Sequence, residues 1–439
     1  MDNIIPKTNQ KRIVIIGGGF AGLQLAKKLK NENVQLVLLD KHNYHQFQPL
    51  FYQVATSGIE PSAVSFPIRK IFQRQENLFF RVTEVLSILP DEKQVETAIG
   101  KIDYDYLVIA TGAKNNFFGL KNVEQFSYPM KTTSESIILR NKLLQNIEDA
   151  VGNNDDEARK ALLHTVVIGG GPTGVEISGA LGEMKNLVIP RDFKELSKSE
   201  VKVTIVESGS KLLSAMSFKA SLKTEVYLNE LGVDILKNSQ VVDYDGEILK
   251  FANGKEIKTR AVIWAAGVAG NTIAGLKEGI TGRGNRFKVN EYNKVEGYED
   301  IFAIGDISIM VADPKFPNGH PQVAPVAIQQ AKCLAGNLQE IINGTDTRKA
   351  FQYTPLGTMA TVGRNLAVVE FNYFKYYGFL AWATWLFVHL MSIVGIKNRL
   401  FIFLNWMWSY FTYDQSLRLI IRTCNCKPEQ KKGTNENDS

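Results

Sequence analysis

Cysteine is scarce in this sequence: Cys333, Cys424 and Cys426 are the only three in 439 residues. So few thiols cannot build a disulfide framework, and they fit a reducing compartment. A secretory leader is lacking as well. Met1–Gln10 is polar, and the first strand-like run starts at Arg12, which leaves no room for a cleaved presequence. The expected location is therefore the cytoplasm or the cytoplasmic face of a membrane. Lys and Arg form no long run, and the formal net charge of +6 is modest for the length. Nucleic acid is accordingly not an expected partner. What the chain has in quantity is ordinary globular material, 44% hydrophobic and 22% charged, in a length that corresponds to roughly three domains.

The apolar β-branched run Arg12–Ile16 leads straight into Gly17, Gly18, Gly19, Phe20, Ala21 and Gly22, with Gly17, Gly19 and Gly22 at the G-x-G-x-x-G positions. An uninterrupted apolar run is expected for a strand covered on both faces. Leu23–Asn31 reads as a helix. Val34–Leu39 reads as a second strand, ending in Asp40 and Lys41. The first glycine permits the tight turn, the second lets backbone approach a pyrophosphate, and the third lets the helix pack on the strand. The helix N-terminus offers free N–H groups to the phosphates, and Asp40 is placed for ribose hydroxyls. A bare G-x-G-x-x-G also occurs as a glycine-rich turn without ligand; the strand–loop–helix–strand–acid context favours a dinucleotide.

The pattern recurs. His164–Ile168 is a strand, Gly169, Gly171, Pro172, Thr173 and Gly174 belong to the loop, Val175–Met184 reads as helix, and the strand Val201–Val206 ends in Glu207. A carboxylate at Glu207 would repel a 2′-phosphate, which favours NADH over NADPH. Leu107–Gly112 is a strand ending in Ala110, Thr111 and Gly112. Val262–Gly267 repeats it with Ala266 and Gly267, and Ile301–Asp306 ends in Gly305 and Asp306. Gly305 allows close backbone approach. Asp306 reads either as an acid reaching a bound cofactor or as the cap of the next helix.

These residues resemble the two-dinucleotide flavoprotein superfamily of the glutathione reductase type. The resemblance implies an α/β fold with two Rossmann-like units, the first loop holding one tight, non-covalent FAD and the second binding NADH. It implies a discontinuous FAD-binding domain, 1–125 and 285–350, an NAD-binding domain, 126–284, and a C-terminal membrane-anchoring and quinone-site region, 351–426; the polar composition of 427–439 reads as a disordered tail. The polar stretch Gly152–Glu157 reads as a surface excursion. Members that reduce disulfides need a cysteine pair beside the flavin. None precedes Cys333, so a dithiol relay is excluded. Cys333, in the helix-like run Gln329–Ile342, reads as a small core residue, and Cys424 and Cys426 as incidental.

In place of cysteines stands Asn43–Ala55, which closely resembles the corresponding segment of type II NADH dehydrogenases, single-polypeptide, non-proton-pumping NADH:quinone oxidoreductases. The match continues through Gly169–Glu176, Trp264–Val268, Ala327–Gln330, Thr361–Arg364, Val388–Leu390 and Lys397–Arg399. It implies hydride transfer from NADH to FAD and electron delivery to a membrane quinone, menaquinone or ubiquinone, at the entry to a respiratory chain. It implies that Glu176 positions the nicotinamide, and that Gln329, Gln48, Pro49 and Ala327 line the flavin and quinone end. The rival reading of Glu176 is a helix residue near the first turn, favoured there by the macrodipole; that of the others is ordinary packing. One departure is Pro325, where the family usually has Gln; Gln322 is the candidate to replace it. Two rival functions stay open: a soluble NADH-dependent reductase of a protein acceptor such as ferredoxin, and a non-enzymatic NAD-responsive flavoprotein.

Phe379–Ile396 carries no formal charge apart from His389, Lys397–Arg399 interrupts it, and Leu400–Tyr413 is again apolar and aromatic. Trp382, Trp385, Trp406 and Trp408, four of the five tryptophans, lie here. One spanning helix, a pair of helices lying in the interface, and a buried core or dimer helix are the three readings. The resemblance implies the second: a monotopic anchor touching membrane lipid and walling the quinone site, with a homodimer left open. His389 reads as a packed histidine.

Overall fold

A computed structural model describes residues 4–345, 347–412 and 417–421. Its organising feature is one sheet topology used twice. The first five-stranded parallel sheet runs Ile301–Ala303, Tyr106–Ile109, Lys11–Ile16, Val34–Asp40, Leu78–Val82. The second runs Tyr128–Pro129, Ala261–Trp264, His164–Ile168, Lys202–Val206, Val233–Leu236. In each, the strand that opens into a glycine loop is central, and apolar side chains bury both faces: Ile13–Ile15 and Val166–Val167 are fully enclosed. The chain passes between the sheets where Ala113–Asn115 pairs antiparallel with Val268–Gly270.

The helix after the first loop is Phe20–Lys28, and it packs along Ala324–Ile342. Pro325 sits in the first turn of that second helix, where a missing N–H costs nothing. Cys333 lies on it, half-buried against the first unit's core. The second loop's helix is Pro172–Glu183. The excursion at 152–155 ends in a helix, Asp156–Leu162, because the Asp155 carboxylate caps it.

A three-stranded antiparallel sheet, Thr358–Gly363, Leu366–Glu370 and Lys375–Tyr377, docks on Pro172–Glu183. The approach is so close that a Cβ on Gly179 would collide with the Val362 carbonyl oxygen. Gly179→Val is expected to lower Tm by several degrees or to prevent folding, since backbone cannot yield as a side chain can; thermal denaturation followed by circular dichroism checks it, and an unchanged Tm would refute this docking.

Two apolar helices follow, Phe379–Ser392 and Ile396–Thr412. The spanning helix over 379–396 is not formed. The helix stops at Ser392, the chain turns at Gly395 with φ +88°, and no helix among the described residues is long and apolar enough to cross a membrane. At about 1.5 Å per residue the first helix reaches only about 21 Å, short of a hydrocarbon core of about 30 Å. Neither helix is a core helix: Ala381, Trp385 and Ile402 are their only buried residues, while Leu380, Phe387, Ile396, Trp408 and Phe411 face outward. Cys424, Cys426 and 427–439 lie outside the described residues.

Candidate functional site

The two glycine loops share the same N–H hydrogen bonds. Gly17 N–H donates to Leu39 O and Gly169 N–H to Val206 O, both at 2.8 Å. Gly18 N–H donates to the Asp40 carboxylate and Gly170 N–H to the Glu207 carboxylate, both at 2.7 Å. Ala110 N–H and Ala265 N–H donate to the last residues of the central strands, Ile16 and Ile168. Gly17 and Gly169 hold φ of +109° and +111°, and a Cβ on either would press into the Ala110 or Ala265 carbonyl. Gly22 and Gly174 are pressed against the carbonyls of Gly17 and Gly169. Of the loop glycines, only Gly19 and Gly171 have nothing within 4 Å of a Cβ. Each is the residue before a helix and faces open space, so the first helical N–H groups, from Phe20 in one helix and, past Pro172, from Thr173 in the other, lie beside a space open to a phosphate. Ala265, which carries the second loop as Ala110 carries the first, is a residue that reading Ala266 and Gly267 alone passes over.

The first cradle is completed from across the chain. Gly305 lies between Ala21 and Ala327, within 3.4 Å of both side chains from a virtual Cβ, and its N–H is held by the Gln330 side chain at 2.7 Å. Asp306 does not cap the next helix, whose N-cap is Val323. Its carboxylate faces Lys131 at 3.8 Å, and burial raises its pKa while Lys131 and Arg286 oppose the rise. Gln322, the candidate replacement at Pro325, donates to the Asp306 carbonyl at 2.9 Å. Asp40 is also held by His42 N–H at 2.7 Å. Lys41 and Gln48 are exposed and Pro49 half-buried. Thr111 Oγ1 donates to Asn271 O at 2.7 Å. Gln329 exchanges two hydrogen bonds with the Thr354 backbone, at 3.0 and 3.1 Å.

The second loop's helix leads to a different environment. Glu176 is its fifth residue, just past the first turn. It is buried, and its Oε1 accepts the Trp385 indole N–H at 3.1 Å. Burial raises its pKa to about 8, against hydrogen bonds from Thr361 N–H and Trp385. Two turns on, the same face carries Glu183, half-buried and raised in pKa by desolvation, accepting Arg364 N–H. The Arg364 guanidinium donates to Ser409 O and Tyr410 O at 2.7 and 3.0 Å. Gln53 accepts the Trp406 indole N–H at 2.8 Å and donates to Tyr52 OH at 2.9 Å. Together these enclose a cavity of about 100 Å³ bounded by both apolar helices. His389 stacks on Trp385 at 3.9 Å, and its Nδ1–H donates to Trp385 O at 2.7 Å. Burial lowers its pKa to about 4, so it is a packed, neutral ring. Glu183, Arg364, Tyr52 and Gln53 escape a reading by loop motifs; the seven-residue spacing of Glu176 and Glu183, which puts both on one helix face, is the signal that marks the first of them.

Two dinucleotide cradles in one chain, with no cysteine pair beside either among the described residues, define a two-nucleotide flavoprotein class, and the comparisons agree. Residues 11–331 match the family described as pyridine nucleotide-disulphide oxidoreductase, to which the chain belongs. Within it, the chain belongs with the type II NADH:quinone oxidoreductases. Two from Mycobacterium tuberculosis are 34% and 32% identical over 418 and 415 residues, covering 91% of this chain and 87% and 88% of theirs. The fold is that of NDH2 from Plasmodium falciparum, solved in complex with NADH, at TM-score 0.85 and 20% identity, covering 94% of this chain and all of that one.

Proposed function

We propose that the chain oxidises NADH and delivers the electrons to a membrane quinone without pumping protons. The observation that carries this reading is the path from the second cradle to the apolar helices: Gly171 opens the helix whose Glu176 lines the cavity beneath Trp385 and Trp406. Loop one, with Gly305, Asp306 and Ala327, would hold FAD, and loop two NADH, in domains divided at 1–125 with 285–350 and 126–284. FAD, when bound, supplies the two-electron acceptor that links a hydride donor to a quinone. The chain's part is alignment and exclusion of water: Glu176 holds a proton on its carboxyl at neutral pH beside the cavity, and Gln48, Pro49 and Gln329 line the flavin end. The exposed apolar faces of Phe379–Ser392 and Ile396–Thr412 would lie in the interface of a membrane, on its cytoplasmic face, in contact with lipid. Anaerobic stopped-flow tests the whole reading. NADH should bleach the flavin, and a short-chain menaquinone or ubiquinone analogue should restore it; flavin that stays reduced with every quinone refutes it.

Specificity for the dinucleotide follows from Glu207. Its two oxygens are pinned by Gly170 N–H at 2.7 Å and Gly209 N–H at 2.6 Å, so the carboxylate cannot swing away from a 2′-phosphate. The kcat/KM for NADH is expected to exceed that for NADPH by roughly 100-fold or more, and Glu207→Gln to narrow the gap. Comparable turnover with both would sink the assignment of Glu207.

A further inference from the structure

Phe118 stands in a backbone conformation that a bulky L residue adopts only when held there. Its φ is +51°, and 64% of the residue is exposed. Three hydrogen bonds fix its segment, one within it and two to the second unit. Asn116 Oδ1 accepts Phe118 N–H at 2.9 Å, Asn116 N–H donates to Gly267 O at 3.1 Å, and Asn116 O accepts the Trp264 indole N–H at 2.8 Å. Phe117 stacks on Trp264 at 5.6 Å, fixing the segment from the other side. The outcome is an aromatic ring presented over Gly267: a Cβ there would lie 2.9 Å from Phe118 Cζ.

Gly267 sits beyond the carboxyl end of Ala261–Trp264, as Gly112 sits beyond that of Tyr106–Ile109. Ligands of open parallel sheets bind outside those strand ends. At Gly112 nothing stands within 4 Å of a Cβ, whereas at Gly267 the ring of Phe118 does. The two cradles, alike in the N–H bonds of their glycine loops, therefore differ here. The difference falls beside the paired strands Ala113–Asn115 and Val268–Gly270, where the chain crosses from one unit to the other. A dinucleotide stretching from the second loop toward the first passes this point. Strain maintained by surrounding contacts beside a ligand path is a mark of function rather than of folding.

We propose that Phe118 is a clamp on the nicotinamide half of NADH, its ring covering the ribose–nicotinamide portion where the dinucleotide crosses Gly267. This rests on the second loop being the NADH site. The ring is held in place before binding, so it adds affinity without an ordering cost.

The test compares Phe118→Ala, Phe118→Gly and Phe118→Tyr in the FAD-loaded protein. Calorimetric titration with NAD⁺ should show binding weakened about 3- to 10-fold in the first two and near wild type in Phe118→Tyr. KM for NADH should rise in parallel while kcat and the quinone KM stay within about twofold. Phe118→Gly relieves the left-handed strain, so its Tm should equal or exceed that of wild type even as affinity falls. A merely structural ring would give the opposite pattern, a lowered Tm with unchanged NAD⁺ affinity, and that result overturns the clamp. Gly171→Glu separates the two layers. If it abolishes NAD⁺ binding while the Phe118 variants bind as wild type, the clamp alone fails; if it still binds NAD⁺, the site assignment fails and takes the clamp with it.

Discussion

Gly171→Glu is expected to leave the FAD in place and to cut the rate of flavin reduction by NADH more than 100-fold, while Gly19→Glu yields protein that does not retain flavin at all. The two substitutions are informative because they ask nothing of the fold. Both glycines have ordinary extended φ, −74° and −73°, so a side chain is conformationally tolerated. Both have open space where a Cβ would stand. What a glutamate would meet is only the ligand: its carboxylate would take the helix N-terminal N–H groups that a pyrophosphate needs, and would repel that pyrophosphate. Gly17, Gly22, Gly169 and Gly174 are different, because a Cβ at any of them runs into backbone carbonyl, and a failure there would confound folding with binding. Flavin absorbance of the purified variants and stopped-flow bleaching by NADH read the result. Retention of FAD by Gly19→Glu, or fast bleaching of Gly171→Glu, would show that the loops are structural turns or that their ligands are exchanged.

The cradles were legible in the sequence because everything that builds them is local or repeats at fixed spacing: strand, three glycines, helix, strand, acid. The same is true of the two apolar helices, whose aromatic runs survive any rearrangement of the remainder. What was not legible is what comes together across long separations. Gln53 meets Trp406, Glu176 meets Trp385, and Arg364 ties Glu183's helix to the carbonyls of Ser409 and Tyr410. None of these pairs has a spacing to recognise, since each joins elements far apart in the chain. Helix ends also exceed a pattern reading. A charge-free run of eighteen residues, 379–396, looks continuous in sequence, but the break at Ser392 and Gly395 comes from backbone geometry that hydropathy does not encode. Residues taken over by resemblance, Gln329 above all, face partners such as Thr354 that no motif names.

The second large effect is expected at Glu176, and it has a pH signature. Burial raises its pKa from 4.5 to about 8 in the folded chain, so between those values the folded form keeps a proton that the unfolded form has lost. Its contribution to stability is thus fully present below about pH 4.5, declines across the interval, and is gone once pH has passed about 8. Glu176→Gln keeps the neutral shape and can still accept the Trp385 N–H, but has no proton to lose. The variant and the wild type should therefore melt together near pH 4.5. Above that the variant should gain, by up to about 1.4 kcal/mol per pH unit, until the difference levels off beyond about pH 8. Trp385→Phe should act in the opposite sense on the acid itself: with the indole donor gone, the ionised form loses a hydrogen bond and the titration moves higher. The enzymatic counterpart is a fall in quinone turnover above about pH 8 in wild type that Glu176→Gln lacks, at a rate lowered throughout because the cavity no longer has a dissociable proton. Melting curves across pH 5 to 9 for the three proteins, with steady-state rates alongside, decide it; parallel stability profiles for wild type and Glu176→Gln would mean that the buried carboxyl is ionised and that its role is to hold Trp385 in place.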